Sequence, residues 1–163
     1  MKELNSILAA FVHSQNNDQQ VFIATVVNVQ GSSYGQPGAR MLITSTGKML
    51  GTISGGCLEN DVFEHTRVLM PDGKPIVVTY DTTADEDIIW GFGLGCNGVL
   101  NVLIEPLNQD NTLNTLAFIN QCFDNQQQGI IATVIAVEGR VDVQVRARLI
   151  LQSNNLVNTD IQD

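Results

Sequence analysis

Apolar residues follow two periodicities along the chain, one typical of helices and one typical of strands. In residues 2–15, apolar side chains recur at positions i, i+3, i+4 and i+7, which predicts an amphipathic helix with one apolar stripe: Leu4, Ile7, Leu8 and Phe11. Residues 21–29, VFIATVVNV, are β-branched and apolar, the composition of a buried strand. The same reasoning predicts strands at 39–44, 48–53, 75–80 and 99–107, and helices at 57–69 and 111–128. This pattern predicts an α+β fold with a mixed, largely antiparallel β-sheet and helices packed outside.

The chain repeats part of its own sequence. IATVVNVQG at 23–31 returns as IATVIAVEG at 131–139, with six of nine residues identical. ARML at 39–42 returns as ARLI at 147–150, at the same offset of 108 residues. The shared offset predicts two β-rich repeats, covering 21–50 and 129–152, inside a single domain that spans 1–163.

Composition and charge exclude several classes of protein. The chain has 163 residues, a hydrophobic fraction of 44% and a net charge of −9 with only 8 Lys and Arg. Nucleic-acid binding needs clustered basic residues, so we predict no nucleic-acid partner. No run approaches the roughly 18 apolar residues of a membrane span, and the N-terminal segment does not read as a signal peptide. Three cysteines without a CxxC pair fit the reducing cytoplasm, where we place the protein.

The segment GTISGGCLEND, 51–61, puts Cys57 directly after two glycines, where a helix is predicted to begin. Glycine permits a close approach of a ligand to the backbone, and a helix N-terminus offers unpaired N–H groups to an anion. The same positive end favours a thiolate over a thiol. The motif therefore suits an anion site, a sulfur nucleophile or a soft-metal ligand, and equally a tight turn around a small buried cysteine. Glu59, in the first turn of the predicted helix, would interact favourably with the positive end of the helix dipole, and it is also a candidate proton acceptor near the thiol.

The segment GFGLGCNG, 91–98, has four glycines in eight residues and carries Cys96. A dinucleotide fingerprint fails at its third glycine, and the segment leads into a strand rather than out of one. A second backbone cradle with a thiol is the better interpretation, with a β-bulge as the alternative. We hypothesise that Cys57 and Cys96 lie near one another beside a shared pocket. Cys122, on a predicted helix, is expected to be a small buried hydrophobe.

The segment GSSYGQPGAR, 31–40, joins two predicted strands and ends in an arginine. Arg40 is suited to clamp an oxyanion. Arg148 takes the equivalent place in the second repeat, which favours a structural ion pair for both arginines instead. The serines of this segment have no recognisable His–Asp support, which argues against a serine nucleophile.

Four stretches resemble the XdhC/CoxI family of xanthine dehydrogenase accessory factors: GSSYGQPGARMLIT, GTISGGCLENDV, DIIWGFGLGCNGVLNVLIEPL and ARLIL. The resemblance runs from about residue 20 to 150 in family order. It implies a protein that binds the molybdenum cofactor (molybdopterin) transiently as cargo and assists its sulfuration and insertion into xanthine dehydrogenase-type molybdoenzymes. The implied partners are the apo-enzyme, a cysteine desulfurase and a second copy in a homodimer. Full-length members of the family carry a C-terminal Rossmann domain, and because no βαβ unit with a glycine fingerprint is found, we expect this sequence to lack it.

The resemblance and the two loops together give a predicted site. The cofactor is a pterin with a dithiolene and a phosphate, so glycine loops with free N–H groups suit the phosphate and a thiolate suits molybdenum. The predicted contacts are Arg40, Ser54, Gly55, Gly56, Cys57, Glu59, Gly93, Gly95, Cys96 and Asn97. Cys57 and Cys96 are the candidate ligands of the cofactor's molybdenum.

Two other functions compete with that of an accessory chaperone. One is a thiol-based sulfur-transfer enzyme with Cys57 as its catalytic residue and Cys96 as partner, which predicts a persulfide on Cys57. The other is a non-catalytic docking module for the apo-enzyme, which predicts that serine at both positions is tolerated. Paired glycine-cysteine loops argue against the docking module, and the lack of an acid–base constellation favours the chaperone over the enzyme.

Overall fold

The computed structural model describes residues 2–17, 19–69, 73–83, 97–107, 113–139 and 142–161. The chain divides into two compact units, Met1–Pro106 and Leu107–Asp163. All strand pairings among the described residues are antiparallel, which confirms the α+β, largely antiparallel fold. The elements are α1 (Lys2–Asn16), β1 (Val21–Ser32), β2 (Arg40–Thr44), β3 (Met49–Gly51), α2 (Glu59–Leu69), β4 (Ile76–Asp81), β5 (Asn97–Pro106), α3 (Thr115–Asp124), β6 (Gly129–Thr133), β7 (Arg148–Gln152) and β8 (Val157–Thr159).

The first unit is built on a five-stranded sheet in the order β3-β2-β1-β5-β4. The long central strand β1 pairs with β2 at one edge and with β5 at the other. At the end of this ladder Ser32 lies opposite Asn97, so the connection from β1 to β2 and the start of β5 share one end of the sheet. That end carries the loops singled out in the sequence.

Side chains alternate between the two faces of this sheet, as the period of a strand requires. Phe22, Ala24 and Val26 belong to one apolar cluster, together with Leu58 just before α2 and Val62 in its first turn. Helix α1 packs against β2 and β3 and buries its predicted stripe. Both faces of the first sheet therefore have apolar cover.

Two helices are shorter than the sequence pattern predicted. Helix α2 begins at Glu59 rather than at residue 57, because the two preceding residues belong to a loop that the Glu59 side chain holds. Helix α3 begins at Thr115, where the side chain of Asn114 caps it by accepting from Leu116 N and Ala117 N. It ends at Asp124, before the predicted glycine stop at Gly129.

The second unit repeats the β-meander of the first with the same register. Its sheet has the order β6-β7-β8, and each strand begins 108 residues after its counterpart in the first unit. The turn contacts repeat as well. The N–H of Gly38 donates to the carbonyl of Val26 at 2.8 Å, and the N–H of Arg146 donates to the carbonyl of Val134 at the same distance. Equivalent cross-strand pairs are Thr25↔Arg40 with Thr133↔Arg148, and Met41↔Gly51 with Leu149↔Thr159. The sequence repeat is therefore a repeat of strand pairing.

Equivalent positions of the two meanders differ in exposure. Phe22 is 0% exposed in the first unit, whereas its counterpart Ile130 is 59% exposed in the second. The face that α2 covers in the first unit thus carries exposed apolar side chains in the second. Among the helices that the structure describes, none has both the length and the apolar character to cross a membrane.

Candidate functional site

The loop between β3 and α2 is closed by one carboxylate. Glu59, the first residue of the helix, turns its side chain back into the loop that precedes it. Its Oε1 accepts hydrogen bonds from Thr52 Oγ1 (2.7 Å), Ile53 N (3.0 Å) and Ser54 N (2.9 Å). Its Oε2 accepts from Ser54 Oγ (2.5 Å), Gly56 N (2.9 Å) and Leu58 N (3.2 Å). One side chain thereby fixes the shape of the whole 52–58 loop.

These donors keep Glu59 ionised. Burial alone would raise the pKa of this carboxyl, because it disfavours the charged form. The hydrogen bonds from Ser54, Thr52 and Ile53 outweigh burial and lower the pKa from 4.5 to about 2. Glu59 is therefore a fixed negative charge at the base of the loop near neutral pH.

This arrangement corrects one expectation about the loop. The sequence predicted free N–H groups for a phosphate, but the N–H groups of Ile53, Ser54, Gly56 and Leu58 already donate to Glu59. The N–H of Gly55 donates to Thr52 Oγ1 at 3.1 Å. The anion of this loop is the chain's own carboxylate. Direct contacts of Ser54 and Glu59 with a cofactor stay predictions.

Cys57 sits at the outer part of this loop. Its side chain is half-buried against the core cluster of the first unit, and its thiol is free. Gly55 and Gly56 just before it are exposed, with φ values of 86° and 120° that favour glycine. The loop thus presents bare backbone and a partly accessible thiol on a support held from below by Glu59.

A second loop lies directly on this one. The ring of Tyr34 covers Gly55, where an added Cβ would meet three ring atoms at 3.1–3.4 Å. A Cβ on Gly35 would fall 1.8 Å from the carbonyl oxygen of Ile53, so only glycine allows the two backbones to pass this closely. The sequence pattern assigned no role to Tyr34. The signal was a glycine directly after an aromatic residue, but its partner lies about twenty residues away.

The start of β5 reaches the same end of the sheet. Asn97 lies opposite Ser32, two residues before Tyr34, and Gly98 is bonded to Thr82 through both its N–H and its carbonyl. The predicted site residues Gly93, Gly95 and Cys96 lie outside the described residues. A pocket shared by Cys57 and Cys96 therefore stays a prediction, and the position of Asn97 beside Ser32 is consistent with it.

The two equivalent arginines have different surroundings. Arg40 is half-buried at the start of β2, and its Nη1 donates to the carbonyl of Gly38 at 3.0 Å. Arg148 is buried, and its Nε donates to Thr133 Oγ1 at 3.2 Å. Arg148 thus links β7 to β6 through its side chain. The oxyanion role of Arg40 stays a prediction.

A polar network at α2 went unrecognised in the sequence. The hydroxyl of Tyr80 donates to Asp61 Oδ2 at 2.7 Å, and His65 Nε2 lies 3.3 Å from the same oxygen. Burial and the bond to Asp61 both raise the pKa of Tyr80 above its ordinary value. The spacing of Asp61 and His65, one helical turn, was the available signal for half of this network.

Cys122, the other free cysteine among the described residues, lies in the second unit. Cys122 packs half-buried against the apolar cluster of Leu113, Phe118 and Ile150, in keeping with its predicted role as a small hydrophobe. Within the described ranges, no three His, Cys, Asp or Glu side chains are grouped to hold a metal ion. A single thiol on a rigid loop is thus the soft-ligand feature of the described site.

One segment of the chain, which carries both the loop of Tyr34 and the 52–58 loop, matches a known family. Residues 14–81 match the model of the XdhC and CoxI family. This segment belongs to the XdhC and CoxI family. It contains Tyr34, Arg40 and the loop from Thr52 to Leu58, so the resemblance seen in the sequence is confirmed.

The relatives of this XdhC/CoxI segment carry names linked to xanthine dehydrogenase. The chain is 36% identical over 110 residues to a probable subunit of xanthine dehydrogenase from Bacillus subtilis, covering 68% of this chain and 32% of that protein. It resembles the crystal structure of a xanthine dehydrogenase from Bacillus halodurans with a TM-score of 0.72 and 26% identity. That likeness covers 96% of this chain and 45% of that one. The chain therefore spans less than half the length of both.

Proposed function

We propose that this chain is an accessory module for xanthine dehydrogenase-type molybdoenzymes that binds the molybdenum cofactor as transient cargo. In this role it holds the cofactor while its terminal sulfur is installed and assists its insertion into the apo-enzyme. The observation that carries the proposal is Cys57, a free and half-buried thiol on a loop fixed by Glu59. The match to the XdhC/CoxI family and the xanthine dehydrogenase names of the relatives support it.

The loop chemistry fits a metal that arrives already chelated. Molybdenum in the cofactor is held by the dithiolene of the pterin, so a carrier needs to add only one soft ligand. A thiolate is such a ligand. Cys57 supplies it, and the exposed backbone of Gly56, where an added Cβ would meet nothing within 4 Å, leaves room beside it. The described residues hold no preformed multi-ligand metal site, and cargo of this kind requires none.

The phosphate end of the cofactor needs a different contact. The N–H groups of five loop residues, 53–56 and 58, are engaged by Glu59 and Thr52, and Glu59 is a negative charge that repels a phosphate. We therefore assign the phosphate to Arg40, the cation at the start of β2, where its Nη1 already points to the backbone of the 31–40 segment. Cys96, Gly93, Gly95 and Asn97 complete the proposed site from the other glycine-cysteine segment.

The proposed partners follow from this role. They are an apo-enzyme of the xanthine dehydrogenase type, a cysteine desulfurase that supplies sulfur, and a second copy of this chain in a dimer, in the cytoplasm. Such a module binds and hands over its cargo, so it requires no catalytic residue of its own.

The test is an anaerobic titration of the purified chain with molybdenum cofactor, with bound pterin quantified after oxidation to a fluorescent product. Cys57→Ser should weaken capture by roughly tenfold or more, because the hydroxyl is a poor ligand for a soft metal. Cys122→Ser is the matched control, since that thiol is also half-buried but packs in the other unit. Equal capture by wild type and Cys57→Ser would contradict a role for the thiol, and no capture by wild type would contradict the proposed function.

Sulfur transfer is the second candidate, favoured by the same free thiol. In that case Cys57 accepts the outer sulfur of a desulfurase persulfide, which regenerates the desulfurase thiol and leaves a persulfide on Cys57. Intact-mass analysis after incubation with a desulfurase and cysteine would show an added sulfur atom that Cys57→Ser lacks. If serine at both Cys57 and Cys96 preserves apo-enzyme binding and maturation, the docking module is the better description.

A further inference from the structure

We propose that Tyr34 is a stacking platform for the planar ring of the ligand that Cys57 holds. The inference rests on the proposed function and deepens it, because the planar ring is then the pterin of the cofactor. It assigns a binding role to a residue outside the site that the sequence predicted.

Part of the Tyr34 ring packs against Gly55, and most of the residue is accessible to solvent. The ring lies over Gly55, within 3.1–3.4 Å of where a Cβ would stand, yet the residue is 69% exposed. Gly35 fixes the loop behind it by its close passage over the Ile53 carbonyl. The aromatic ring is thus held in place at the surface, over a glycine that comes shortly before Cys57 in the chain.

Contact, and not a polar bond, holds the ring there. Among the described residues, the Tyr34 hydroxyl has no hydrogen-bond partner. A tyrosine kept for its hydroxyl normally places it on a partner, as Tyr80 does with Asp61. Tyr34 instead offers a flat apolar surface to solvent, which is suited to stacking.

The second meander serves as an internal comparison. Both copies have a glycine with a φ of 79° at the equivalent position, Gly31 near the end of β1 and Gly139 beyond the end of β6, so the meander itself requires that turn. At the next equivalent positions the copies differ, because Asp142 and Val143 replace Tyr34 and Gly35. The strand pairing is the same in both. Tyr34 is therefore not needed to build the meander, and it occurs in the copy that carries the cysteine loop.

The chemistry of the platform selects the class of ligand. A tyrosine face attracts planar heteroaromatic rings, in an offset arrangement and with little dependence on their substituents. Such a contact contributes enough to change affinity by about fivefold or more. A pterin contains a planar heteroaromatic ring of this class.

The experiment compares two probes, the molybdenum cofactor and a free oxidised pterin without metal or phosphate, by equilibrium dialysis with pterin fluorescence. The variants are Tyr34→Leu, which removes the ring, and Tyr34→Phe, which keeps the ring and removes only the hydroxyl. Phe123→Leu removes an exposed aromatic ring from α3 in the other unit as a control. Circular dichroism and urea unfolding establish that each variant is folded.

We expect Tyr34→Leu to weaken binding of both probes about fivefold or more, while Tyr34→Phe and Phe123→Leu bind as wild type does. Equal cofactor binding by Tyr34→Leu and wild type would overturn the platform and leave the proposed function standing. If wild type binds the free pterin but not the cofactor, and Tyr34→Leu loses the pterin, the platform is supported and the proposed function is overturned. A wild type that binds neither probe would overturn both.

Discussion

Glu59 accepts two hydrogen bonds from Ser54, one from its backbone N–H at 2.9 Å and one from its hydroxyl at 2.5 Å. The carboxylate thereby reaches back over five residues of its own chain. It occupies the position at the helix start where an external anion would otherwise sit. The loop that carries Cys57 is consequently preformed, and its shape depends on a half-buried negative charge.

The first prediction concerns that charge. Glu59→Gln should lower the free energy of unfolding by about 2–3 kcal/mol, because the amide brings an NH2 group against backbone donors that lose their acceptor. Glu64→Gln on the same helix is the control, since Glu64 makes an exposed ion pair with Arg67 and its loss should cost less than about 0.5 kcal/mol. Urea unfolding followed by circular dichroism measures both. Equal costs would show that the Glu59 contacts do not hold the loop.

The second prediction is a dependence of stability on pH. The pKa of Glu59 is about 2 in the folded chain and about 4.5 when unfolded, so the unfolded state binds the proton first as pH falls. The stabilisation by Glu59 is complete above about pH 4.5 and is lost progressively toward about pH 2, by about 1–2 kcal/mol after allowance for solvent screening. Urea unfolding at about pH 5 and about pH 3 should show a smaller loss in Glu59→Gln than in wild type. An identical loss in both would assign the acid sensitivity to other carboxylates.

The sequence predicted those features that depend on local pattern. Runs of β-branched and apolar residues predicted the strands, and the shared offset of the two repeats predicted a shared register. Glu59 was interpreted from its place in the first turn of a helix, which suggested the helix dipole and not a set of hydrogen bonds. That set exists only because the loop curls around the side chain, a conformation that Gly55 and Gly56 permit and that no periodicity encodes.

Contacts between segments that are distant in the sequence could not be predicted either. Tyr34 meets Gly55 and Tyr80 meets Asp61 only after the sheet has assembled. A pattern read along one segment cannot place such pairs, because their partners are set by strand order. The sequence shows that each of the two loops contains glycines, but it does not show the close contacts that require them.

The third prediction tests the close passage of the two loops. Gly35→Ala should destabilise the first unit by about 1–3 kcal/mol, because its Cβ would lie 1.8 Å from the Ile53 carbonyl oxygen and the backbones must separate. It should also weaken cofactor capture by displacing Tyr34. Gly38→Ala is the comparison, since its Cβ meets open space and only the φ of 94° is unfavourable, for about 1 kcal/mol. Capture by Gly35→Ala at the wild-type level would contradict a shared site for the two loops.

The fourth prediction concerns the bond between α2 and β4. Tyr80→Phe and Asp61→Asn should each destabilise the first unit, and the double variant should show a coupling of about 1–2 kcal/mol. Asp61→Asn should also lower the pKa of Tyr80 toward its ordinary value while burial keeps it raised, which ultraviolet titration of tyrosinate detects. Additive effects of the two substitutions would mean that the hydrogen bond adds nothing to stability.

The last prediction uses the two meanders against each other. Phe22→Ala removes a fully buried ring from the core of the first unit and should cost about 3–5 kcal/mol. Ile130→Ala changes the equivalent strand position in the second unit, where the side chain is largely exposed, and should cost no more than about 0.5 kcal/mol. Hydrogen exchange resolved by segment measures the stability of each unit in the same sample. The strands pair in the same register, and full burial of Ile130 would make its truncation cost about 2–5 kcal/mol, so a low cost there reports an uncovered face. A cost at Ile130 close to that at Phe22 would show that the exposed face of the second meander is covered in solution.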